Sequence, residues 1–464
     1  MTVRGKCVWF GRPVRDRLGR MPLIDAQGPV LLPGQDGYDS ERQGFNRIVD
    51  HRPAVIVAAE TAEDVRQAVL HAAARDLPVA VQATGHGPVL PADGAVLIGT
   101  RRMNGVRIDP GARTARIEAG VRWGRVVERA AKYGLAPLNG TSPGVGAVSY
   151  TLGGGLPVLG RTYGWAVDHV RSIDVVTADG RALTATPDRH EDLFWALRGG
   201  KGNFGAVTAL EIGLVPLTHV YGGGLYYPGD RAAEVVHAWR EWTLDLPEET
   251  NSSVALVRFP DLPSIPGHLR GRAFTHVRVV HTGPETRPPA TLGPPVMGAI
   301  GVQPYTEVAS IFDEPAGPVR TQDHSMMLRD LPAEAVDTLI AHTGGDAGPV
   351  VVELRQLGGA LGRTGAVPSA TGHRDATHAL TTVSPGPVGP ARALLAAMRP
   401  WGTGRALINL FNGPDTAGDA REAYDPETYR RLVALKGVHD PANLFRINHN
   451  VPPENWNASR PAPR

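Results

Sequence analysis

Short apolar runs alternate with amphipathic segments in the first part of the chain. Residues 53–60 (PAVIVAAE) have the pattern of a buried strand, and residues 61–76 have apolar positions at helical spacing. Thr61 and Asp64 resemble a capping box at the start of this helix. Residues 77–83 (LPVAVQA) predict a second strand, which runs into a Gly-His-Gly corner. This βαβ pattern places the corner where α/β sheets commonly bind ligand phosphates.

The pattern then changes to a mixture of hairpins and helices. Residues 106–120 (VRIDPGARTARIEAG) predict a hairpin with a Pro-Gly turn, and residues 172–186 predict another with an Asp-Gly turn. Residues 122–134 (RWGRVVERAAKYG) predict a helix that ends at a glycine. A short helix over 192–200 and a strand over 206–217 follow. The first half of the chain is therefore expected to be α+β.

A second domain is indicated from about residue 218. Runs such as SSVALVRF and GPVVVELRQLGG alternate at a period of two, and they are separated by segments with helical spacing. This favours an antiparallel sheet with helices on one face. We expect an N-terminal arm over 1–35, a first domain over 36–217, a second over 218–405, and a segment over 406–464 that returns to the first domain. The length of 464 residues supports more than one core.

Charge and cysteine content exclude several classes of protein. The 48 basic and 46 acidic residues are interleaved, so we expect no nucleic-acid partner. The single cysteine, Cys7, cannot form an intrachain disulfide, and no Cys/His spacing predicts a metal site. The absence of a signal-like or membrane-spanning run leads to the expectation of a cytoplasmic protein with no membrane partner. The sequence leaves the oligomeric state open.

Three glycine-rich segments are candidates for binding a ligand. They cover residues 84–87, 140–155 and 199–205. Glycines allow backbone amides to approach phosphate oxygens, so these loops predict a dinucleotide site. The first two match neither the GxxxxGK[ST] nor the GxGxxG pattern, which disfavours nucleoside triphosphate and Rossmann chemistry. The alternative is that the glycines only form tight turns. His86, between two glycines, is predicted to face the cofactor.

These segments together resemble the FAD-binding domain of the berberine bridge enzyme-like oxidases, within the vanillyl-alcohol-oxidase (PCMH-type) superfamily. The resemblance rests on RPAVIV, EDVRQAV, VQATGHG, SPGVG, LGGG, RTYGWAVDHV, VVTADG, DLFWALRGGKGNFGAVT and the C-terminal DPANLFRINHNVPP, in the order of the family. It implies an α+β fold with a two-subdomain FAD-binding domain and an antiparallel-sheet substrate domain covered by helices.

The resemblance also implies a set of cofactor contacts. In the family the histidine of the corner is bonded covalently to the flavin, and His86 matches it. Ser142 stands where many members have a second bonded cysteine, so we expect one covalent link, through His86 only. Val148-Ser149 and Pro157 replace glycines that are usual in the family. The residues expected to contact FAD are Thr84, Gly85, His86, Gly87, Thr141, Ser142, Val145, Gly146, Ser149, Gly153, Gly154, Gly155, Tyr163, Asn203, Gly205, Val207, Asn448 and Asn450.

The catalytic base is less clearly indicated. Alternation along VVVELRQLGG puts Glu353 and Arg355 on one face and Gln356 on the other, and either set could face the flavin. A surface ion pair between Glu353 and Arg355 is the structural alternative. Leu407 occupies the position of a tyrosine that is catalytic in many members. The replacement candidates are Tyr226, Tyr227, His324 and His378.

The resemblance implies an FAD-dependent oxidase of a small organic molecule, such as an alcohol, a sugar or a specialised-metabolite intermediate. Hydride transfer to the flavin would be followed by reoxidation with dioxygen and release of hydrogen peroxide. Val145 resembles the residue of members that leave dioxygen a path, which favours an oxidase. The alternatives are a dehydrogenase that uses another acceptor and a redox-silent FAD-holding cyclase or binding scaffold.

Overall fold

The computed structural model describes residues 24–263, 265–286, 288, 290–343, 348–416, 418, 420–454 and 456. Most of the predicted arm, with Cys7, lies outside these residues. Within them, the strands are β1 (Val30–Leu31), β2 (Val55–Ala58), β3 (Val79–Gln82), β4 (Val96–Gly99), β5 (Val106–Asp109), β6 (Thr114–Glu118), β7 (Leu135–Ala136), β8 (Val170–Val176), β9 (Ala182–Ala185), β10 (Ala206–Gly213), β11 (Val215–Pro216), β12 (His219–Pro228), β13 (Thr250–Arg258), β14 (Ala273–His281), β15 (Met297–Pro304), β16 (Gln322–Leu328), β17 (Val351–Gln356) and β18 (His378–Ser384).

The helices in the same residues are α1 (Tyr38–Arg42), α2 (Ala62–Ala73), α3 (Trp123–Ala131), α4 (Ala147–Leu152), α5 (Gly160–Tyr163), α6 (Glu191–Leu197), α7 (Ala232–Thr243), α8 (Ala333–His342), α9 (Gly389–Met398) and α10 (Pro426–His439). No helix of this part of the chain is both long and apolar enough to cross a membrane.

The first half of the chain forms two main sheets. One has the order β1-β2-β4-β3, in which β4 lies parallel to both β2 and β3. The predicted capping box of α2 is confirmed, because the Asp64 N–H donates to the Thr61 hydroxyl over 3.2 Å and the reciprocal bond is also present. The other sheet is antiparallel, with the order β5-β6-β10-β8-β9, and contains both predicted hairpins.

The second half forms an antiparallel sheet with the order β15-β12-β14-β13-β17-β18-β16. Helices α7, α8 and α9 cover one face, where Val236, Trp239 and Leu339 pack with Leu354 in one apolar core. The predicted sheet with helices on one face is confirmed. We call the opposite face the polar face, and its side chains are Asp323, Ser325, Thr381, Glu353, Arg355, Ser253, Arg278, His276 and Tyr226.

The C-terminal segment packs against the first half through a buried ion pair. Lys436, in the last turn of α10, pairs with Asp440, which directly follows the helix; both are fully buried, with 2.8 Å between Nζ and Oδ2. Lys436 also donates to the carbonyls of Asn203, at 2.7 Å, and Phe445, at 3.0 Å. These bonds attach the segment that carries residues 448–450 to the loop before β10. The exact domain boundaries stay a prediction.

Candidate active site

The Gly-His-Gly corner after β3 is held by the segment that follows α1. Gly85 has a φ of +69°, and a Cβ there would lie 2.4 Å from the Cα of Gly44, so only glycine permits this approach. The Phe45 N–H donates to the Thr84 carbonyl over 2.8 Å. The Phe45 ring stacks on the His86 imidazole, with 3.9 Å between the ring centroids. These contacts fix the orientation of the imidazole.

The His86 imidazole faces the second glycine-rich segment. A Cβ on Gly144 would lie 3.5 Å from His86 Nε2 and 3.8 Å from the hydroxyl of Ser142. Burial lowers the pKa of His86 to about 4, although a hydrogen bond with the Gly144 backbone opposes the shift. The ring is therefore neutral near pH 7 and keeps the lone pair that a nucleophilic nitrogen needs.

The rest of the second segment lies between His86 and the polar face. Gly146 immediately precedes α4, and the Ser149 hydroxyl donates to the Gly146 carbonyl over 3.2 Å. Val145 is half-buried against the core. The Thr141 hydroxyl donates to the Glu314 carboxylate, which belongs to the second half of the chain. This segment therefore joins the histidine corner to the substrate-domain side of the site.

The three glycines after α4, namely Gly153, Gly154 and Gly155, are packed closely against other parts of the chain. A Cβ on the first would lie 2.1 Å from Asn409 Oδ1, on the second 2.9 Å from Thr371, and on the third 2.5 Å from the Tyr150 ring. The amides of the first two donate back to carbonyls of α4. Protein atoms thus fill the space that a side chain would need, so these glycines serve close packing of the chain; their predicted contact with FAD stays a prediction.

The loop before β10 is also fixed by contacts within the protein. Asn203 is fully buried, its amide donates to the His449 carbonyl over 3.0 Å, and its oxygen accepts from the Val451 N–H over 2.9 Å. A Cβ on Gly205 would lie 2.6 Å from Val175. Val207 is buried in the main core of the first half. These residues hold the C-terminal segment and the sheet together, which explains the sequence pattern without a ligand.

Tyr163 also has a structural environment. Its ring is half-buried in the apolar cluster that includes Tyr305 and Val308, and its carbonyl bonds to His169 Nε2 over 2.8 Å. Burial raises the pKa of the Tyr163 phenol. Packing accounts for this tyrosine, so its predicted contact with the cofactor gains no support.

Two asparagines of the C-terminal segment have free amide oxygens. Asn448 and Asn450 each bury a side-chain oxygen that has no hydrogen-bond partner among the described residues. Between them, His449 is buried and stacks on Phe411, with 5.8 Å between the centroids. Buried polar atoms normally have partners, so these oxygens are suited to accept hydrogen bonds from a bound molecule. Together with the neutral His86 and the open corner at Gly87, they fit an FAD molecule.

Glu353 and Arg355 form an ion pair that is buried on the polar face rather than exposed. Arg355 donates to Glu353 at 3.1 Å, and Arg278 donates to the same oxygen at 3.0 Å. Burial alone would raise the pKa of Glu353, but the two guanidinium groups outweigh it and lower the pKa to about 2. The two arginines and Phe312 line a small cavity against residues 156–158, which follow the glycine triplet. Glu353 is therefore a permanent carboxylate that positions two cations and accepts protons poorly.

The other candidates from the sequence differ in their positions. The Gln356 amide donates to the Thr243 carbonyl at the end of α7, and the residue also borders the cavity of Arg355, so its catalytic role stays a prediction. Tyr227 and His378 lie on the helix-covered face, where His378 packs against Trp239. Tyr226 lies on the polar face, stacked on a histidine and outside the cavity of Arg355. Burial and Asp313 raise its pKa to about 12, which makes the phenol a poor general base near pH 7.

The sequence reasoning missed Asp323, on strand β16. Its carboxylate accepts from the Asn412 amide, and its Oδ1 is buried without a hydrogen-bond partner in the described part of the chain. A Cβ on Gly87 would lie 3.9 Å from the Asn412 Cβ. Asn412 therefore lies between Asp323 and the histidine corner. Burial raises the pKa of Asp323 to about 6, despite the Asn412 hydrogen bond. It is a carboxyl group able to exchange a proton near neutral pH.

His324, the next residue, is engaged in a separate network. Its Nε2 lies 2.8 Å from the Asp415 carboxylate, which also pairs with Arg392 at 2.9 Å. Among the described residues, no group of three or more His, Cys, Asp and Glu side chains could hold a metal ion. The site thus combines a neutral histidine, buried amides and a polar sheet face, an arrangement that suits a flavin-dependent oxidoreductase.

Comparison with known proteins supports this class. Residues 53–186 match a family model described as an FAD binding domain, and residues 411–452 match one described as berberine and berberine like. These matches confirm the predicted resemblance to the berberine bridge enzyme-like FAD-linked oxidoreductases.

Similar proteins include oxidases of different names. The chain is 29% identical to (R)-6-hydroxynicotine oxidase of Paenarthrobacter nicotinovorans, over 93% of this chain and 98% of that protein. It is 31% identical to the xylooligosaccharide oxidase of Thermothelomyces thermophilus, over 50% of this chain and 49% of that protein. The crystal structure of 6-hydroxy-D-nicotine oxidase from Arthrobacter nicotinovorans superposes with a TM-score of 0.80 at 27% identity, covering 92% of this chain and 98% of that one.

Proposed function

We propose that this FAD-dependent enzyme oxidises a small organic substrate, an alcohol, an amine, a sugar or a specialised-metabolite intermediate, with dioxygen as the electron acceptor and hydrogen peroxide as the product. The observation that carries the proposal is that Asn412 links the histidine corner to the polar face. It lies beside Gly87 and donates a hydrogen bond to Asp323. This link puts a neutral nitrogen nucleophile and a carboxyl group that titrates near pH 6 on the same side of the sheet.

His86 is the proposed point of covalent attachment of the flavin. Its neutral ring, its fixed orientation on Phe45 and its position opposite Gly144 support this role. Ser142 lies next to the same glycine and offers a hydroxyl in place of a second thiol, which supports a single link. Asn448 and Asn450 are the proposed amide partners of the cofactor. When bound, FAD would supply the acceptor for a hydride, which carries two electrons.

The residues of the chain handle the substrate and its proton. The guanidinium groups of Arg355 and Arg278 line the cavity and orient polar atoms of the substrate, while Glu353 holds both groups in place. Asp323 accepts the proton that the substrate O–H or N–H loses as its neighbouring C–H bond breaks. A carboxylate with a pKa of about 6 is mostly ionised at pH 7 and can therefore act as this base.

Anaerobic mixing followed by aeration tests the proposal. Purified enzyme is mixed without oxygen with a panel of amines, alcohols and oligosaccharides, and loss of the flavin absorbance identifies substrates. Peroxide is then measured after air is admitted. Bleaching followed by stoichiometric peroxide supports an oxidase, whereas bleaching with no peroxide identifies a dehydrogenase. If no compound of any of the three classes bleaches the flavin, the scaffold alternative replaces the proposal.

A further inference from the structure

A second depression opens on the polar face beside the catalytic cavity. It lies between strands β12 and β15 and the segment Tyr305–Ile311, and has a volume of about 320 Å³. We call it the glycine groove; the residues that bear on its chemistry are Gly224, Tyr226, His276, Gln303, Ser310 and Asp313. This size falls within the range of small-molecule sites in proteins.

The floor of the groove consists of glycines and one alanine, so it has almost no side chains. Gly222 and Gly224 on β12 and Ala299 and Gly301 on β15 all project toward the polar face, because they pair directly across the two strands. Gly224 has no left-handed backbone that would require glycine, yet a Cβ there would lie 2.2 Å from His276 Nε2. The glycine is therefore required for space, because any side chain there would collide with the buried His276 Nε2.

His276 presents a hydrogen-bond donor without a partner. Arg278 Nε donates to His276 Nδ1 over 3.1 Å, so Nδ1 carries the lone pair. Burial and the Arg278 charge lower the pKa of His276 to about 2, and the neutral ring therefore carries its hydrogen on Nε2. The side chain is 1% exposed, and Nε2 has no hydrogen-bond partner among the described residues. A buried, unpartnered donor is rare in folded proteins and indicates a missing acceptor.

A second free donor and an acceptor complete the groove. The Gln303 amide nitrogen is also buried without a partner in the described part of the chain. Asp313 is exposed at the rim and takes a hydrogen bond from the Tyr226 hydroxyl. The Tyr226 ring stacks on His276 with 3.8 Å between centroids, which gives the groove a flat aromatic side. A ligand here must therefore offer acceptors to two N–H groups and donors to a carboxylate.

We infer that the glycine groove binds a neutral, hydroxyl-rich ring, a glycosyl unit, carried by the substrate at a distance from its reacting atoms. Sugar hydroxyls both donate and accept, and a sugar ring suits a flat floor beside an aromatic side chain. An ammonium group would satisfy Asp313 but would leave both N–H groups of His276 and Gln303 without acceptors. The carboxylate likewise disfavours an anion.

The groove and the catalytic cavity are adjacent parts of one surface. His276 and Arg278 are two residues apart on the same face of β14, about 7 Å along the strand. Arg278 lines the cavity and donates to both His276 and Glu353, and residues 311–313 separate the two spaces. The inference rests on the proposed function in one respect, namely that the groove is a subsite for the substrate of that reaction. A glycosylated substrate would thus span both.

Binding can be tested without turnover. Saturation-transfer NMR on the full-length holoenzyme, with the flavin oxidised, uses methyl β-D-glucopyranoside and, separately, benzylamine. We expect saturable glucoside binding in the millimolar range. Gln303→Leu should weaken it by at least about fivefold, and so should Asp313→Asn, which suits the left-handed backbone at this position (φ +52°). Gln67→Leu, the same change on the exposed face of α2, is the matched control and should bind like the wild type.

Each result decides the inference. Saturable glucoside binding that is weakened in both groove variants, and retained in the control, supports it even if no substrate ever reduces the flavin. The inference is overturned if the wild type shows no saturable glucoside binding, or if both groove variants bind as tightly as the wild type. Preferential binding of benzylamine, lost in Asp313→Asn, would also overturn it and would identify a cation site. Melting curves identify any variant that fails to fold, and the other variant then carries the test.

Discussion

Asp323 buries a carboxyl group whose charged form the fold disfavours, so its replacement by asparagine should stabilise the protein at high pH. The pKa rises from 3.8 to about 6 on folding. Each unit corresponds to about 1.4 kcal/mol, so the ionised group costs about 3 kcal/mol at pH 8 and about 0.5 kcal/mol at pH 4. The sign follows from proton binding: the folded state holds the proton more tightly, so stability falls as pH rises through 4 to 6.

The substitution Asp323→Asn removes this cost with little change of shape. The replacement oxygen can still accept from Asn412, and the amide nitrogen takes the place of the Oδ1 that has no partner in the described residues. We expect stabilisation of up to about 3 kcal/mol at pH 8, shrinking to under about 1 kcal/mol at pH 4. Asp245→Asn, at an exposed position, is the matched control and should change stability by less than about 0.5 kcal/mol at both pH values.

The assay is urea unfolding of the wild type and both variants at pH 4, 6 and 8, followed by flavin and tryptophan fluorescence. A gain in the unfolding free energy of Asp323→Asn that grows with pH agrees with the reasoning. An equal effect at pH 4 and pH 8, or destabilisation that grows with pH, would refute the assignment of a raised pKa to this carboxyl group.

Three further outcomes follow from the same contacts. The kcat/KM of the wild type should rise with pH through about 6, as Asp323 loses its proton. Asp323→Asn should lose both this rise and most of the activity. If the variant keeps the rise in its pH–rate profile, the base is another residue. Lys436→Met should destabilise the protein by about 3 kcal/mol in urea unfolding, because it leaves the Asp440 carboxylate buried and unpaired; a loss under about 1 kcal/mol would contradict the role of this pair. Gly153→Ala should cost about 1–3 kcal/mol through the 2.1 Å contact with Asn409, whereas Gly301→Ala, with nothing within 4 Å, should be nearly neutral; equal melting temperatures would argue against the packing role of the triplet.

The sequence predicted best those features that depend on local pattern. The strand and helix periods of residues 53–83, the Thr61–Asp64 cap and the hairpins all follow from neighbouring residues, and each is present. The two-residue alternation along β17 correctly separated Glu353 from Gln356. It could not select the face that meets the first half of the chain, because that depends on where helices α7 to α9 pack.

The sequence could not decide the role of groups that depend on distant partners. A run of three glycines is equally compatible with phosphate binding and with close packing, and only the positions of Asn409, Thr371 and Tyr150 decide. Asp323 carries no local signal, since its environment is made by Asn412, about ninety residues away, and by the histidine corner. The unpartnered nitrogen of His276 likewise becomes visible only when Arg278 defines the tautomer.

The central claim is that His86 holds the flavin of an oxidase, and an absorption spectrum before and after acid precipitation tests it most directly. The account predicts that yellow colour stays with the precipitated wild-type protein, and that in His86→Ala the flavin is released into the supernatant. Gly301→Ala serves as the variant that keeps the colour in the pellet. Flavin released from the wild type by acid, or retained in the pellet of His86→Ala, would contradict the assignment of the covalent link to this histidine.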